Sequence, residues 1–185
     1  MGFFETYLDN LTKVILDAPA HELALVSERL RRCSEAGGKV ILVGNGGSAA
    51  DAQHIAAEFV GKFQKDRFSF PAIALTTDSS ILTSIGNDFS FESIFSRQCE
   101  GLASKDDVVI GISTSGNSQN IVNGLITSKK NGCKTIGFLG NNGGKIKDIV
   151  DVAVTVNSKS TPRIQEVHRT IFHIICDLAE QDLTN

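Results

Sequence analysis

Five short, almost uninterrupted apolar runs punctuate the chain, at Lys39–Val43, Ala72–Leu75, Val108–Ile112, Thr135–Leu139 and Val152–Val156, and helical stretches separate them. Runs this short and this apolar suit strands buried on both faces. Alternating with helices, they define parallel βαβ units. The intervening helices are expected from Ser48 to about Gln64, over Asp78–Ile85, over Glu92–Leu102 after an interruption at Asn87–Phe91, up to Asn131 where Gly132 caps the turn, over Lys145–Val150, and from about Ile164 to Leu183. Ahead of the first run, Phe4, Leu8, Leu11, Ile15 and Leu16 recur at helical spacing until Asp17-Ala18-Pro19 breaks the pattern. A second amphipathic stretch through Leu23, Val26 and Leu30 ends at Gly37-Gly38. The expected fold is α/β: a three-layer αβα sandwich on a five-stranded parallel sheet over residues 37–185, behind an N-terminal helical extension over residues 1–36.

Composition narrows the function classes. The chain has 185 residues, 41% hydrophobic and 21% charged, which describes one ordinary domain able to bury roughly 70% of its unfolded surface. A net charge of −3 gives no basic footprint, so no nucleic-acid partner is expected. Cys33, Cys99, Cys133 and Cys176 are far apart with no CxxC pair, which is neither a disulfide framework nor a zinc-finger spacing. They read as small buried hydrophobes in a reducing compartment. Met1-Gly2-Phe3-Phe4-Glu5-Thr6 matches the myristoylation pattern, but no polybasic segment follows and no apolar run reaches ~18 residues. A cytoplasmic protein without membrane partners is expected.

In a doubly wound sheet ligands gather where strands run into helices at the carboxyl edge. Two loops there have anion-binding chemistry. Gly44-Asn45-Gly46-Gly47-Ser48-Ala49 lets backbone amides approach a ligand without Cβ obstruction, and Ser48 can cap the next helix. It also satisfies the loose dinucleotide pattern GxGxxA, although a tight ligand-free turn explains it equally well. Ser113-Thr114-Ser115-Gly116-Asn117-Ser118 sets four hydroxyls and a glycine before a helix start. Hydroxyls and amides together can surround a phosphate without a lysine, and capping alone does not account for four of them. A nicotinamide dehydrogenase would leave this second loop unexplained, and no GKS or GKT marks a Walker loop. His54 and Glu58, four residues apart, share one face of the helix after the first loop. Alone they read as an exposed pair; beside two anion-type loops they are an acid–base candidate.

Gly44-Asn45-Gly46-Gly47-Ser48, Gly86-Asn87-Asp88-Phe89, Ile112 to Ser118 and Arg163-Ile164-Gln165-Glu166 occur in the order of the sugar isomerase (SIS) domain family. The chain resembles that family over nearly its whole length, and more narrowly its bacterial phosphoheptose isomerase branch. The resemblance implies a flavodoxin-like fold and a homotetramer with active sites at subunit contacts. It implies conversion of sedoheptulose 7-phosphate to D-glycero-D-manno-heptose 7-phosphate, which opens bacterial heptose synthesis for lipopolysaccharide, capsule or another glycoconjugate. It puts the sugar phosphate on Ser113, Thr114, Ser115 and Ser118, and the rest of the sugar on Asn45, Gly46, Gly47, Glu58, Asn87, Asp88 and Gln165. It makes Glu58 and His173 the catalytic pair, and His54, Glu58, Gln165 and His173 the ligands of one zinc ion per subunit.

Two points follow from the residues themselves. His173 lies in the apolar run Ile171-Phe172-His173-Ile174-Ile175, where a core histidine would be the default, and His168, about 140° round the same helix, cannot share its site within one chain. Gln165 and His173 are eight residues apart, about 12 Å along a helix, whereas zinc ligands converge to within ~2.2 Å of the ion. The site is therefore expected to be completed between chains, unless Gln165 precedes the regular helix. The alternatives are another sugar-phosphate isomerase, or a non-catalytic SIS scaffold resembling the DnaA initiator-associating protein, for which His54, Glu58 and His173 would have no use.

Overall fold

The structure, a computed structural model, describes residues 2–183; Met1 of the lipidation pattern and positions 184–185 of the expected SIS unit lie outside it. The chain runs α1 (Phe3–Leu16), α2 (Ala20–Glu35), β1 (Val40–Gly44), α3 (Gly47–Val60), β2 (Ala72–Ala74), α4 (Ser79–Asp88), a 3₁₀ turn (Phe91–Ser93), α5 (Ile94–Leu102), β3 (Val108–Ser113), α6 (Gln119–Lys130), β4 (Lys134–Gly140), α7 (Gly144–Lys147), β5 (Val152–Val156) and α8 (Thr161–Leu183). The five strands pair in parallel in the order β2-β1-β3-β4-β5. Each apolar run is a strand of this one sheet. Helices cover both of its faces, the three-layer α/β architecture expected of such runs.

The two faces bury alternate residues of each strand, as the strand period of two requires. Val40, Leu42, Ile110, Phe138 and Val154 join Val26, Ile55, Val167 and Phe172 beneath α2, α3 and α8. Ile41, Val43, Val109 and Leu139 face the opposite way, onto Phe95, Ile121, Leu125 and Ile146 of α5, α6 and α7. Within the described residues α1 buries nothing fully. It is held on α8 by Tyr7, whose hydroxyl donates to Glu166 Oε1 at 2.6 Å and whose ring lies 3.4 Å below the Arg163 guanidinium. Arg163 and Glu166 form an ion pair at 2.8 Å, so two residues of the Arg-Ile-Gln-Glu motif dock α1 and Ile164 is core. The four cysteines are free and buried, and burial pushes the Cys33 and Cys133 thiols up to about 11 and Cys176 to about 12. None is thereby set up as a thiolate nucleophile near neutral pH.

Two boundaries differ from expectation. Asn87 and Asp88 form the end of α4 rather than a break, because the helix runs on until Phe89. α8 starts at Thr161, with Pro162 in its first turn where no N–H is needed, so Gln165 lies inside regular helix. Phe138, fully buried against Phe172 at 4.4 Å between ring centroids, ties the sheet to α8. Phe138→Ala is expected to lower unfolding free energy by about 3–5 kcal/mol in chemical denaturation.

Candidate active site

The serine loop is preorganised. Ser113, buried at the end of β3, has its hydroxyl 3.1 Å from that of Ser118 and 3.5 Å from that of Ser115. The Gly116 and Asn117 N–H groups donate to Ser113 Oγ and Ser115 Oγ, each at 3.1 Å. Ser118 is the N-cap residue of α6 without capping it through its side chain, and the first turn of α6 carries no acid. The hydroxyls therefore converge at a helix end whose partial positive charge favours an anion. Gly116 has φ +67°, and a Cβ there would stand 2.0 Å from Gly143 O. Only glycine fits, and the Ile146 N–H, donating to Gly116 O at 3.0 Å, locks this loop onto the one after β4. Thr114 is fastened the same way, its carbonyl accepting from Asn141 Nδ2 at 3.0 Å.

The glycine loop joins the serine loop through a residue that sequence reasoning missed. Asn45 and the buried Asn120, in the first turn of α6, exchange two amide hydrogen bonds of 2.9 and 3.0 Å. A self-complementary amide pair across 75 residues leaves no local signal. Gly46 and Gly47 are exposed at the start of α3. The Gln165 amide packs over Gly47 so closely that a Cβ there would lie 2.5 Å from Gln165 Nε2. Asn45, Gly46, Gly47 and Gln165 thus form one group beside the serine loop. Asn87 and Asp88 are exposed at the end of α4, with the Asn87 amide donating to Asp88 Oδ1 at 2.8 Å. Their side chains bond each other rather than either loop.

A second group lies farther down α3 and α8. These helices run parallel and in step: Gly47 meets Gln165, and Arg169 donates to the buried Asp51 at 2.7 Å, the same offset of 118 residues. Continuing along both, the rings of His54 and His173 stand 5.3 Å apart between centroids. His54 Nε2 is 3.0 Å from Glu58 Oε1. A carboxylate only accepts, so Nε2 carries the proton it donates. All three side chains are partly exposed, in reach of solvent or a partner. Phe63, from the segment after α3, stacks on His173 at 5.5 Å with the ring planes 25° apart.

The two groups are separated along the helices. From Gly47 to Glu58 is eleven residues, about 16 Å of helix, so the His54–Glu58 face lies well down from the carboxyl edge. Gln165, inside α8, stays with the loops and is about 12 Å along the axis from His173. Two imidazoles and a carboxylate are zinc-type donors. Among the described residues, however, no three His, Cys, Asp or Glu side chains are arranged to hold a metal ion. One chain therefore does not form the four-ligand zinc site that the resemblance implies.

His168 is outside both groups. It is fully buried against Phe138 and Phe172, and Nε2 donates to Leu139 O at 3.1 Å. Burial pulls its pKa down to about 4, the hydrogen bond to Leu139 opposing only part of the shift.

Residues 3–140 match the model of the SIS domain. The phosphoheptose isomerase of Geobacter sulfurreducens is 57% identical over 89% of this chain and 87% of its own length. That of Nitratiruptor sp. is 62% identical over 77% of this chain and 76% of its own. The solved structure of the phosphoheptose isomerase of Neisseria gonorrhoeae superposes with a TM-score of 0.90 at 36% identity, covering 96% of this chain and 97% of that one. The chain belongs to the SIS domain family and, within it, to the phosphoheptose isomerases. These relatives are named as isomerases, and the non-catalytic scaffold is not favoured.

The buried neutral His168 makes an acid-stability prediction. Its folded pKa is below the unfolded value of about 6.5, so between about pH 6.5 and 4 the unfolded chain binds a proton that the folded chain does not. Stability falls as pH drops through that window. His168→Gln, which can still donate to Leu139 O, is expected to flatten the dependence of the denaturation midpoint on pH there; an unchanged slope removes the assignment.

Proposed function

We propose that the chain interconverts sedoheptulose 7-phosphate and D-glycero-D-manno-heptose 7-phosphate through an enediol. The observation that carries this reading is the His54–Glu58 pair at 3.0 Å with the His173 ring beside it. An aldose–ketose isomerisation needs a base to move a carbon-bound proton and an acid at the neighbouring oxygens, and a carboxylate with an imidazole supplies both. Glu58 takes the proton from one carbon and returns it to the next, with His54 donating to the carboxylate and holding its orientation. His173 exchanges protons with the sugar oxygens and opens the ring. Ser113, Thr114, Ser115 and Ser118, with the free amides of α6, hold the phosphate. Asn45, Gly46, Gly47, Asn87, Asp88 and Gln165 hold the sugar hydroxyls.

Assembly is part of this reading. The loops and the His54–Glu58–His173 group stand well apart along α3 within one chain, so a homotetramer that sets the loops of one subunit against the helical group of another completes the site. Apolar exposure supports assembly: Phe3, Phe4 and Leu16 of α1 are 87%, 70% and 80% exposed, and Phe89, Phe91 and Ile174 are also exposed. The extension over residues 1–36 is proposed to serve oligomerisation. Zinc, at one ion per subunit, is proposed to be held by His54, Glu58, Gln165 and His173 drawn from more than one subunit, and would polarise the carbonyl oxygen. The heptose product is proposed to enter glycoconjugate synthesis in the cytoplasm. Four free thiols, and the lack among the described residues of a helix long and apolar enough to cross a membrane, support that location.

A coupled assay with sedoheptulose 7-phosphate tests the reading. Glu58→Gln is expected to lower kcat by about 10²–10⁴-fold, and near-full turnover would overturn its role as base. Ser118→Ala is expected to act mainly on KM, through the phosphate. Chelation followed by metal analysis and zinc restoration decides the metal: activity that persists in the zinc-free protein excludes a catalytic ion.

A further inference from the structure

Glu180 follows His173 by seven residues on α8, hence on nearly the same face, two turns on. It is 1% exposed, yet its carboxylate accepts three consecutive backbone N–H groups, from Phe63 at 2.7 Å, Gln64 at 2.9 Å and Lys65 at 2.8 Å. Arg67 Nε, equally buried, lies 3.2 Å from Glu180 Oε1. The Arg67 guanidinium also donates to the carbonyls of Glu58 at 2.8 Å, Phe59 at 3.0 Å and Phe68 at 2.9 Å. One carboxylate and one guanidinium therefore fasten the last turn of α3, which carries Glu58, and the irregular segment 61–67, which carries Phe63.

What this clamp presents is Phe63, the residue whose own N–H makes the shortest of the three bonds, and its ring lies stacked on His173. His173 in turn neighbours His54. A buried charge pair is a poor choice for stability alone, since apolar side chains of the same volume hold a fold as well or better. It does dictate one geometry, because three N–H groups must point at one carboxylate. Burial would raise the Glu180 pKa, but the N–H donors and Arg67 hold it below the usual range, so the clamp stays charged in neutral solution.

We infer that Glu180, with Arg67, is the positioning residue of this site, fixing segment 61–67 so that Phe63 sets the plane of the His173 imidazole. Glu180 touches no substrate and acts only through Phe63 and the end of α3. For turnover the inference rests on the roles proposed for Glu58 and His173; the ring geometry does not.

The test therefore has two readouts in the full-length protein. The first is the NMR position of the His173 imidazole C–H signals, identified by their loss in His173→Gln and displaced by the stacked phenyl ring. In Glu180→Gln they are expected to move towards their positions in Phe63→Leu. The second is kinetic: Glu180→Gln and Phe63→Leu lower kcat by up to about 10²-fold with little change in KM, while Phe63→Tyr, which keeps a ring on His173, retains kcat. Unmoved signals in folded Glu180→Gln overturn the inference, as does unchanged kcat. If Glu180→Gln does not fold, the Phe63→Leu and Phe63→Tyr pair decides it, and equal kcat in the two overturns it. A wild-type protein without isomerase activity overturns the proposed function instead and leaves the NMR readout to judge the clamp.

Discussion

Helices α3 and α8 both leave the carboxyl edge of the sheet and lie parallel and in step on the same face, and most of the site's geometry follows from that contact. Gly47 admits Gln165, Asp51 takes Arg169, His54 meets His173, and Glu180 closes on the segment that follows α3. The register rests on one very close approach at its head, where the Gln165 amide packs over Gly47, and a buried carboxylate at its foot. Between them Ile55, Phe59, Val167, Ile171 and Phe172 pack onto the sheet. A helix pair anchored at both ends cannot slide by a turn without unpairing a buried charge, an expensive event in a low-dielectric interior.

That packing also sorts the polar residues by task. At the carboxyl edge the polar groups are neutral: hydroxyls of Ser113, Ser115 and Ser118, and the amide end of α6. Partial charges fixed in place in this way suit an anion even in a chain of net charge −3, because they need no reorganisation when it arrives. Down the helices the groups are titratable instead. Several turns of helix separate the neutral groups at the loops from the titratable groups within one chain.

How much of this was legible in the sequence varied with the range of the interaction. All five strands could be read, because burial on both faces leaves a run with almost no polar interruptions. The two loops could be read from glycines and hydroxyls at strand ends. Asn87 and Asp88 were misplaced as a helix break, since their turn-forming tendency is local and α4 overrode it. Asn45–Asn120, Arg169–Asp51 and Glu180 with residues 63–65 were not legible at all. Each pairs residues 75 to 118 positions apart, and an Asn, Arg or Glu in a helix looks the same whether it faces water or a partner. Phe63 had no signal either, because an aromatic residue after a helix more often packs into a core than onto an imidazole.

By itself the sequence determined the sheet, its covering layers, the chemistry of the loops and the identity of the acid–base candidates, for these follow from periodicity and residue type within a few turns of chain. Tertiary structure alone decided which candidates meet. It grouped Gln165 with the glycine loop and His173 with His54 and Glu58, buried His168 as a neutral core residue, and gave Glu180 a charge-holding task. The physical reason is that helix packing converts a register between two distant segments into distances of 3 to 5 Å, and register is a property of the pair, written in neither segment alone.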